Sequence, residues 1–274
     1  MRPKAPLIAA LLTVLFIAGG AGILAYRMVQ AFERHQESIV AGLAAHQESI
    51  VAALSAHIDR LSDEIRFSAP IDLGHKHDDI REFVIRSEIA QIPDAVLFVG
   101  DSITEAALLP ASICGHSVIN AGLGGADTGS YLAFAKLTFP IDLKSPLIII
   151  ALGTNNSTSI GAKWDSSLAP SYNNLADFLQ LHADKLLFAG IPPLDMSGAL
   201  AKGYFDSDFS KKNDAAIRSV ALSRSVGFVD LQAAMVGENL TVDGVHLTPA
   251  GYREWIAAIV NAAEKTLVCK TVQN

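Results

Sequence analysis

A serine, a histidine and a carboxylate can together cleave an ester when the histidine can take the serine proton and the carboxylate can orient the imidazole. Two short segments of the chain supply these groups. The first is Gly100-Asp101-Ser102-Ile103-Thr104-Glu105, which directly follows the apolar run 95–99. A serine on a tight turn after a strand is exposed at the strand's carboxyl end, and the turn aims backbone N–H groups at any oxyanion formed there. The ordinary reading of the same residues is a turn that only caps the next helix. The second segment is Asp243-Gly-Val-His246-Leu-Thr-Pro249-Ala-Gly-Tyr252. A carboxylate three residues ahead of a histidine can lie beside it on one turn, accept the Nδ1–H and leave Nε2 for the serine proton. The alternative is a histidine satisfied structurally within its own turn.

Two more segments can stabilise negative charge. Asn120-Ala-Gly-Leu-Gly-Gly125-Ala-Asp-Thr128 follows the run 117–119, and its glycines permit close backbone approach and positive φ. An N–H from Gly125 can then point into a crevice, with Gly122 and Gly124 competing for that role. A dinucleotide loop is the rival reading, but the glycine spacing and the following residues do not match its fingerprint. Gly153-Thr154-Asn155-Asn156 follows the run 147–152. The Asn155 amide can donate to a developing oxyanion, an interaction whose loss typically costs about 3 kcal/mol of transition-state stabilisation; a plain Asn-rich turn is the alternative. His75-Lys-His77-Asp78-Asp79 looks like part of a metal site, yet no second cluster at ligand spacing accompanies it. No metal and no cofactor are expected.

These residues need a scaffold. From about residue 93, short apolar runs at 95–99, 117–119, 147–152, 185–189 and 227–229 alternate with helical patterns. That alternation predicts a parallel sheet covered on both faces, with the ligand crevice outside the carboxyl ends of the strands. Ahead of it, 79–92 reads as an amphipathic helix with Ile80, Phe83, Val84 and Ile89 on one side and Asp78 as its N-cap.

Order and spacing of the four segments resemble the SGNH hydrolase family, including its GDSL esterase/lipase and carbohydrate-esterase members, over about residues 93–267. The resemblance implies an α/β fold, a three-layer α/β/α sandwich with a five-stranded parallel sheet of SGNH/flavodoxin-like type. It implies Ser102 as nucleophile and first oxyanion donor, Gly125 and Asn155 as the other donors, and Asp243 and His246 as the rest of a triad. Ile103 replaces the leucine of the motif that names the family, and Asn156 stands where many members carry aspartate.

The N-terminal third has another character. Residues 5–26 form an uncharged apolar run of 22 residues, and about 20 suffice to cross a bilayer. Arg2 and Lys4 before it nearly balance Arg27 and Arg34 after it. The short N-terminal flank favours a signal-anchor at 1–27 with its N-terminus in the cytoplasm. A signal peptide cleaved near Ala18-Gly19-Gly20-Ala21-Gly22 is the alternative.

Residues 28–67 read as a helical stalk. His35-Gln-Glu-Ser-Ile-Val-Ala-Gly-Leu-Ala-Ala45 is repeated almost unchanged from His46 to Ala56, and a weaker copy starts at His57. The 11-residue period aligns Ile39, Ile50 and Leu61 with Leu43, Leu54 and Ile65, and favours a right-handed supercoil in a homo-oligomer. A single amphipathic helix is the other reading. His35, His46 and His57 are about 16 Å apart along such a helix, too far to share one ion within a chain. Ser68-Ala-Pro-Ile-Asp-Leu-Gly74 reads as a linker within 68–92, leaving 93–274 as the hydrolase domain.

The net charge of −7, without clustered Lys and Arg, excludes nucleic acid as a partner. The expectation is a single-pass membrane protein with its catalytic domain on the extracytoplasmic, periplasmic side. Its expected activity is removal of acetyl or other acyl groups from a cell-surface polysaccharide or related substrate. An O-acyltransferase with a sugar hydroxyl as acceptor uses the same triad, and a non-catalytic oligomeric scaffold is the reading from another class. Trp164, Tyr172 and Tyr204 are candidate sugar-stacking surfaces, or ordinary packing. Cys114 and Cys269 are either one disulfide or two free thiols.

Overall fold

The computed structural model describes residues 77–158 and 168–269, together with 27, 28, 30, 32, 34–36, 40, 42, 43, 46, 47, 50, 51, 54 and 55. The chain divides into two compact units, residues 1–71 and 72–274. In the first, the described positions are helical, and Leu43, Ile50 and Leu54 of the expected apolar stripe are exposed. The expected membrane span at 5–26, the third repeat copy and the linker at 68–74 lie outside the described residues. Among the described residues no helix is long and apolar enough to cross a membrane.

The second unit opens with helix α1 (His77–Gln91), whose first turn contains Asp78 and Asp79. Asp78 is therefore inside the helix and not its N-cap, where its charge still favours the positive end of the helix dipole. Its buried residues are Ile85 and Ile89, whereas Ile80 and Phe83 are exposed. The inward stripe runs through Arg81, Ile85 and Ile89, four residues apart. Arg81 belongs to it because its guanidinium reaches backbone carbonyls at the end of a strand, donating to Gly122 O and Asn120 O.

Six strands follow: β1 (Val96–Gly100), β2 (Ser112–Ile113), β3 (His116–Gly122), β4 (Ile148–Ala151), β5 (Leu186–Ala189) and β6 (Gly227–Val229), in the order β2-β3-β1-β4-β5-β6. Strands β3, β1, β4, β5 and β6 are parallel at every pairing. The expected five-stranded parallel sheet is corrected by the edge strand β2, which is antiparallel to β3 and makes the sheet mixed. The physical reason is a two-residue hairpin: Cys114 and Gly115 both have positive φ, at 52° and 85°, and such a loop pairs adjacent segments with the twist that strands need.

Alternation within the strands fixes the layers. Leu97, Val99, Ile148, Ile150 and Phe188 face a core made with α1, α3 (Thr128–Thr138), α4 (Leu168–Gln180) and α6 (Ser207–Ser223). Val96, Phe98, Ile149 and Leu187 face Trp255, Ile259 and Ala263 of α8 (Pro249–Leu267) on the other side. Among the described residues there are also three short helices, α2 (Ser102–Glu105), α5 (Ala199–Tyr204) and α7 (Leu231–Ala234).

Cys114 and Cys269 form a disulfide with a Cα–Cα distance of 5.3 Å, tying the β2-β3 hairpin to the chain just after α8. Of the candidate stacking aromatics, Tyr172 is fully buried in α4 and donates its hydroxyl to Ile150 O, so it is core. Tyr204 ends α5 and is half exposed, and Trp164 lies outside the described residues.

Candidate active site

The chain leaves β3 to enter β4 on the opposite flank of β1, so the carboxyl end of β1 is the point where the strand order reverses and a crevice opens. There β1 turns sharply into α2. The turn needs glycine twice, because a Cβ on Gly100 would stand 1.9 Å from Thr104 Oγ1 and one on Gly122 2.3 Å from the Glu105 amide nitrogen. Asp101 caps the turn by accepting a hydrogen bond from Ile103 N at 3.0 Å. Burial pushes its carboxyl up to about 6, against the opposing influence of the Ile103 amide, the Thr154 hydroxyl and the field of His246. Its second oxygen has no hydrogen-bond partner among the described residues.

Ser102 is the first residue of α2. Its Oγ lies 3.0 Å from His246 Nε2, and His246 Nδ1 lies 2.7 Å from Asp243 Oδ2. The other oxygen of Asp243 accepts the amides of Val245 at 2.9 Å and His246 at 2.8 Å. Burial raises the Asp243 carboxyl, but the hydrogen bonds from the His246 ring and from these two amides outweigh it and hold the group below its ordinary range. One carboxylate thus closes the turn and orients the imidazole together. Tyr252, one turn into α8, donates its hydroxyl to Ile103 O at 2.9 Å and joins the histidine segment to the nucleophile helix.

Close to Ser102 lies the glycine loop at the end of β3, where a Cβ on Gly124 would stand 4.0 Å from Ser102 Cβ. Gly122 N donates to Asn120 Oδ1 at 3.0 Å and Gly124 N to Glu105 Oε2 at 2.6 Å. Gly125, exposed and at φ 76°, keeps an N–H with no acceptor among the described residues. Asn155 opens a 3-10 turn after β4 and donates one amide hydrogen to Ala126 O at 2.9 Å, leaving the second for a ligand. Asn156 does not face Ser102; it accepts from Thr128 N and reaches Thr128 Oγ1, fastening the start of α3.

Ser102, His246 and Asp243 therefore stand in one hydrogen-bonded line, while Asn155 holds Ala126, the residue that follows Gly125. A hydroxyl so placed can attack a carbonyl carbon as its proton passes to the imidazole. Among the described residues no three His, Cys, Asp or Glu side chains are grouped to hold a metal ion. Sequence reasoning passed over Arg81, Glu105, Asn120 and Tyr252. Asn120 Nδ2 donates to Thr104 O at 2.8 Å and Glu105 O at 3.2 Å, binding the end of α2 to β3. The only signal for it was its place at the end of an apolar run.

The model of the GDSL-like lipase/acylhydrolase family matches residues 98–254, more than half of the chain. No curated protein sequence matches it significantly. Among solved structures, the lipase/acylhydrolase from Enterococcus faecalis is 19% identical, with 65% of this chain and 100% of that one covered and a TM-score of 0.54. A GDSL-like lipase from Bacteroides thetaiotaomicron is 22% identical, with 68% and 98% covered and a TM-score of 0.52. The acetyl xylan esterase AlAXEase is 20% identical, with 61% and 98% covered and a TM-score of 0.50. At these identities the likeness is one of fold.

Proposed function

The chain belongs to the GDSL-like lipase/acylhydrolase family and is an ester-cleaving enzyme; we propose that Ser102, His246 and Asp243 are its catalytic triad and that its substrate is an acylated polysaccharide or related carbohydrate at the cell surface. The observation that carries this reading is the unbroken line from Ser102 Oγ to His246 Nε2 and from His246 Nδ1 to Asp243 Oδ2. Ser102 Oγ forms a bond to the acyl carbon while His246 takes its proton, and the carbonyl oxygen becomes an oxyanion held by the N–H groups of Ser102 and Gly125 and the Asn155 amide. The tetrahedral species collapses as His246 returns the proton to the departing alcohol oxygen. Water then attacks the acyl-serine by the same route in reverse, releasing the acid.

The carbohydrate assignment draws on the fold shared with an acetyl xylan esterase. It also draws on the polar crevice wall beside Ser102, where Glu105, His77 and Asn155 stand. In this reading residues 5–26 anchor the protein, the repeats at 35–67 serve as a stalk that associates with other copies, and the enzyme works outside the cytoplasm. The Cys114–Cys269 disulfide fits that compartment, since disulfides persist where the surroundings are oxidising.

The test is hydrolysis of p-nitrophenyl acetate and of an acetylated oligosaccharide by the full-length protein and its Ser102→Ala variant. Acetate release is expected from both substrates and should fall by about four orders of magnitude or more in the variant. Activity that survives the substitution would remove Ser102 from the mechanism. Acetyl appearing on an added oligosaccharide, in place of free acetate, would identify a transferase.

A further inference from the structure

Glu105 ends the helix that Ser102 begins, and its side chain is largely covered. Its Oε2 accepts the Gly124 amide at 2.6 Å, a short bond of the charge-assisted kind. A Cβ placed on Gly124 would lie 3.0 Å from that oxygen, 3.6 Å from His77 Nε2 and 4.0 Å from Ser102 Cβ, so the group stands one residue's width from the nucleophile. We propose that Glu105 is a positioning residue of the oxyanion site, fixing the Gly125 N–H through Gly124, and that α1 belongs to the active site because His77 and Arg81 hold Glu105 in place. The inference rests on the triad and oxyanion roles proposed above.

The loop that presents the Gly125 N–H has three glycines within four residues, 122, 124 and 125. Such a segment has more backbone freedom to lose than any other composition. An oxyanion donor is effective when it is already aimed before charge develops, so this freedom must be removed in the resting enzyme. Pins on both sides of the peptide do so. Glu105 holds the Gly124 amide on one side, and Asn155 holds Ala126 O on the other at 2.9 Å.

A carboxylate here also opposes the negative charge that must form nearby. Two groups of α1 offset it. His77 Nε2 lies 3.0 Å from Glu105 Oε2 and Arg81 Nε lies 3.7 Å from Oε1. The same guanidinium donates to Gly122 O at 2.9 Å and Asn120 O at 2.8 Å, so it grips the root of the loop and its anchor together. These groups are partly exposed, where ion pairing alone contributes little. Their role is geometric.

The experiment compares full-length wild type, Glu105→Ala, Glu105→Gln and Ser102→Ala on p-nitrophenyl acetate, and measures inhibition by a trifluoromethyl ketone. Ser102 adds to that ketone's carbonyl, passes its proton to His246 and leaves an oxyanion in the site, so its Ki reports oxyanion binding. Glu105→Ala should lower kcat on the order of 10-fold to 100-fold with little change in KM, and raise Ki by a similar factor. Glu105→Gln keeps an acceptor for the Gly124 amide and should stay within about threefold of wild type in both. A variant that only folds poorly would lose active enzyme at an unaltered Ki, and that result overturns the proposal. So does equal loss in Ala and Gln, or loss in neither. Activity retained by Ser102→Ala would instead bring down the triad reading itself.

Discussion

The two sides of the crevice are built in opposite ways. On the proposed proton-transfer side, Asp243 and His246 sit three residues apart, and a single carboxylate serves both the turn and the imidazole. On the proposed oxyanion side, the candidate donors come from α2, the loop after β3 and the turn after β4, and hydrogen bonds from Glu105, Asn120 and Arg81 tie these segments together. One side is a local motif that folds with its own backbone. The other is an assembly that exists only once the sheet is formed.

That contrast can be broken or sharpened by substitution. The largest effect is expected for Asp243→Asn, whose amide oxygen can still close the turn but no longer secures the required imidazole tautomer. kcat should fall by about 10^4 with the melting temperature little altered. A fall of less than tenfold would mean that the turn aligns His246 without the carboxylate.

Next comes Asn155→Ala, which removes one of three donors and the pin on Ala126. Its kcat should drop on the order of 10^2 to 10^3 while KM moves little. If steady-state kinetics instead showed a change confined to KM, Asn155 would be a substrate-binding group and the oxyanion side would consist of backbone alone.

The smallest effect concerns the turn beneath Ser102, which both sides share. Asp101 has an ordinary value of 3.8 raised to about 6, so between those pH values the folded protein holds a proton that the unfolded chain releases. The contribution of Asp101 to stability is therefore greatest below pH 4, declines as pH rises through this window, and is flat above it. A shift of about two units corresponds to roughly 3 kcal/mol. Asp101→Asn retains an acceptor for Ile103 N, so urea unfolding should show a gain of up to about 3 kcal/mol at pH 7 relative to pH 3. An equal difference at both pH values would mean that the carboxyl is not a source of stored destabilisation.

Much of the parallel sheet was legible because a strand buried on both faces must be apolar throughout, and the runs at 95–99 and 147–152 are. The sixth strand was not, since two residues at a sheet edge leave no periodic signal; what made it was positive φ at Cys114. Helix α1 was recognised with Ile89 on its buried side, but Ile80 and Phe83 are exposed. Ile80 and Phe83 suggested an apolar stripe, whereas the sheet needed Arg81 inward to satisfy carbonyls at the end of β3.

By itself the sequence determined what depends on neighbours along the chain: the strand runs, the Gly100 that lets β1 turn into α2, and the Asp243 carboxylate set three residues before His246. Tertiary structure alone decided what depends on separation in space. It brought Ser102 to a histidine 144 positions away and paired cysteines 155 positions apart. It also gave the Gly124 amide an acceptor in Glu105, 19 positions away, while the Gly125 N–H has none among the described residues. Local spacing fixes which side chains share a turn, but a hydrogen bond between distant segments requires the strand order that brings them together, and no short stretch of sequence contains that order.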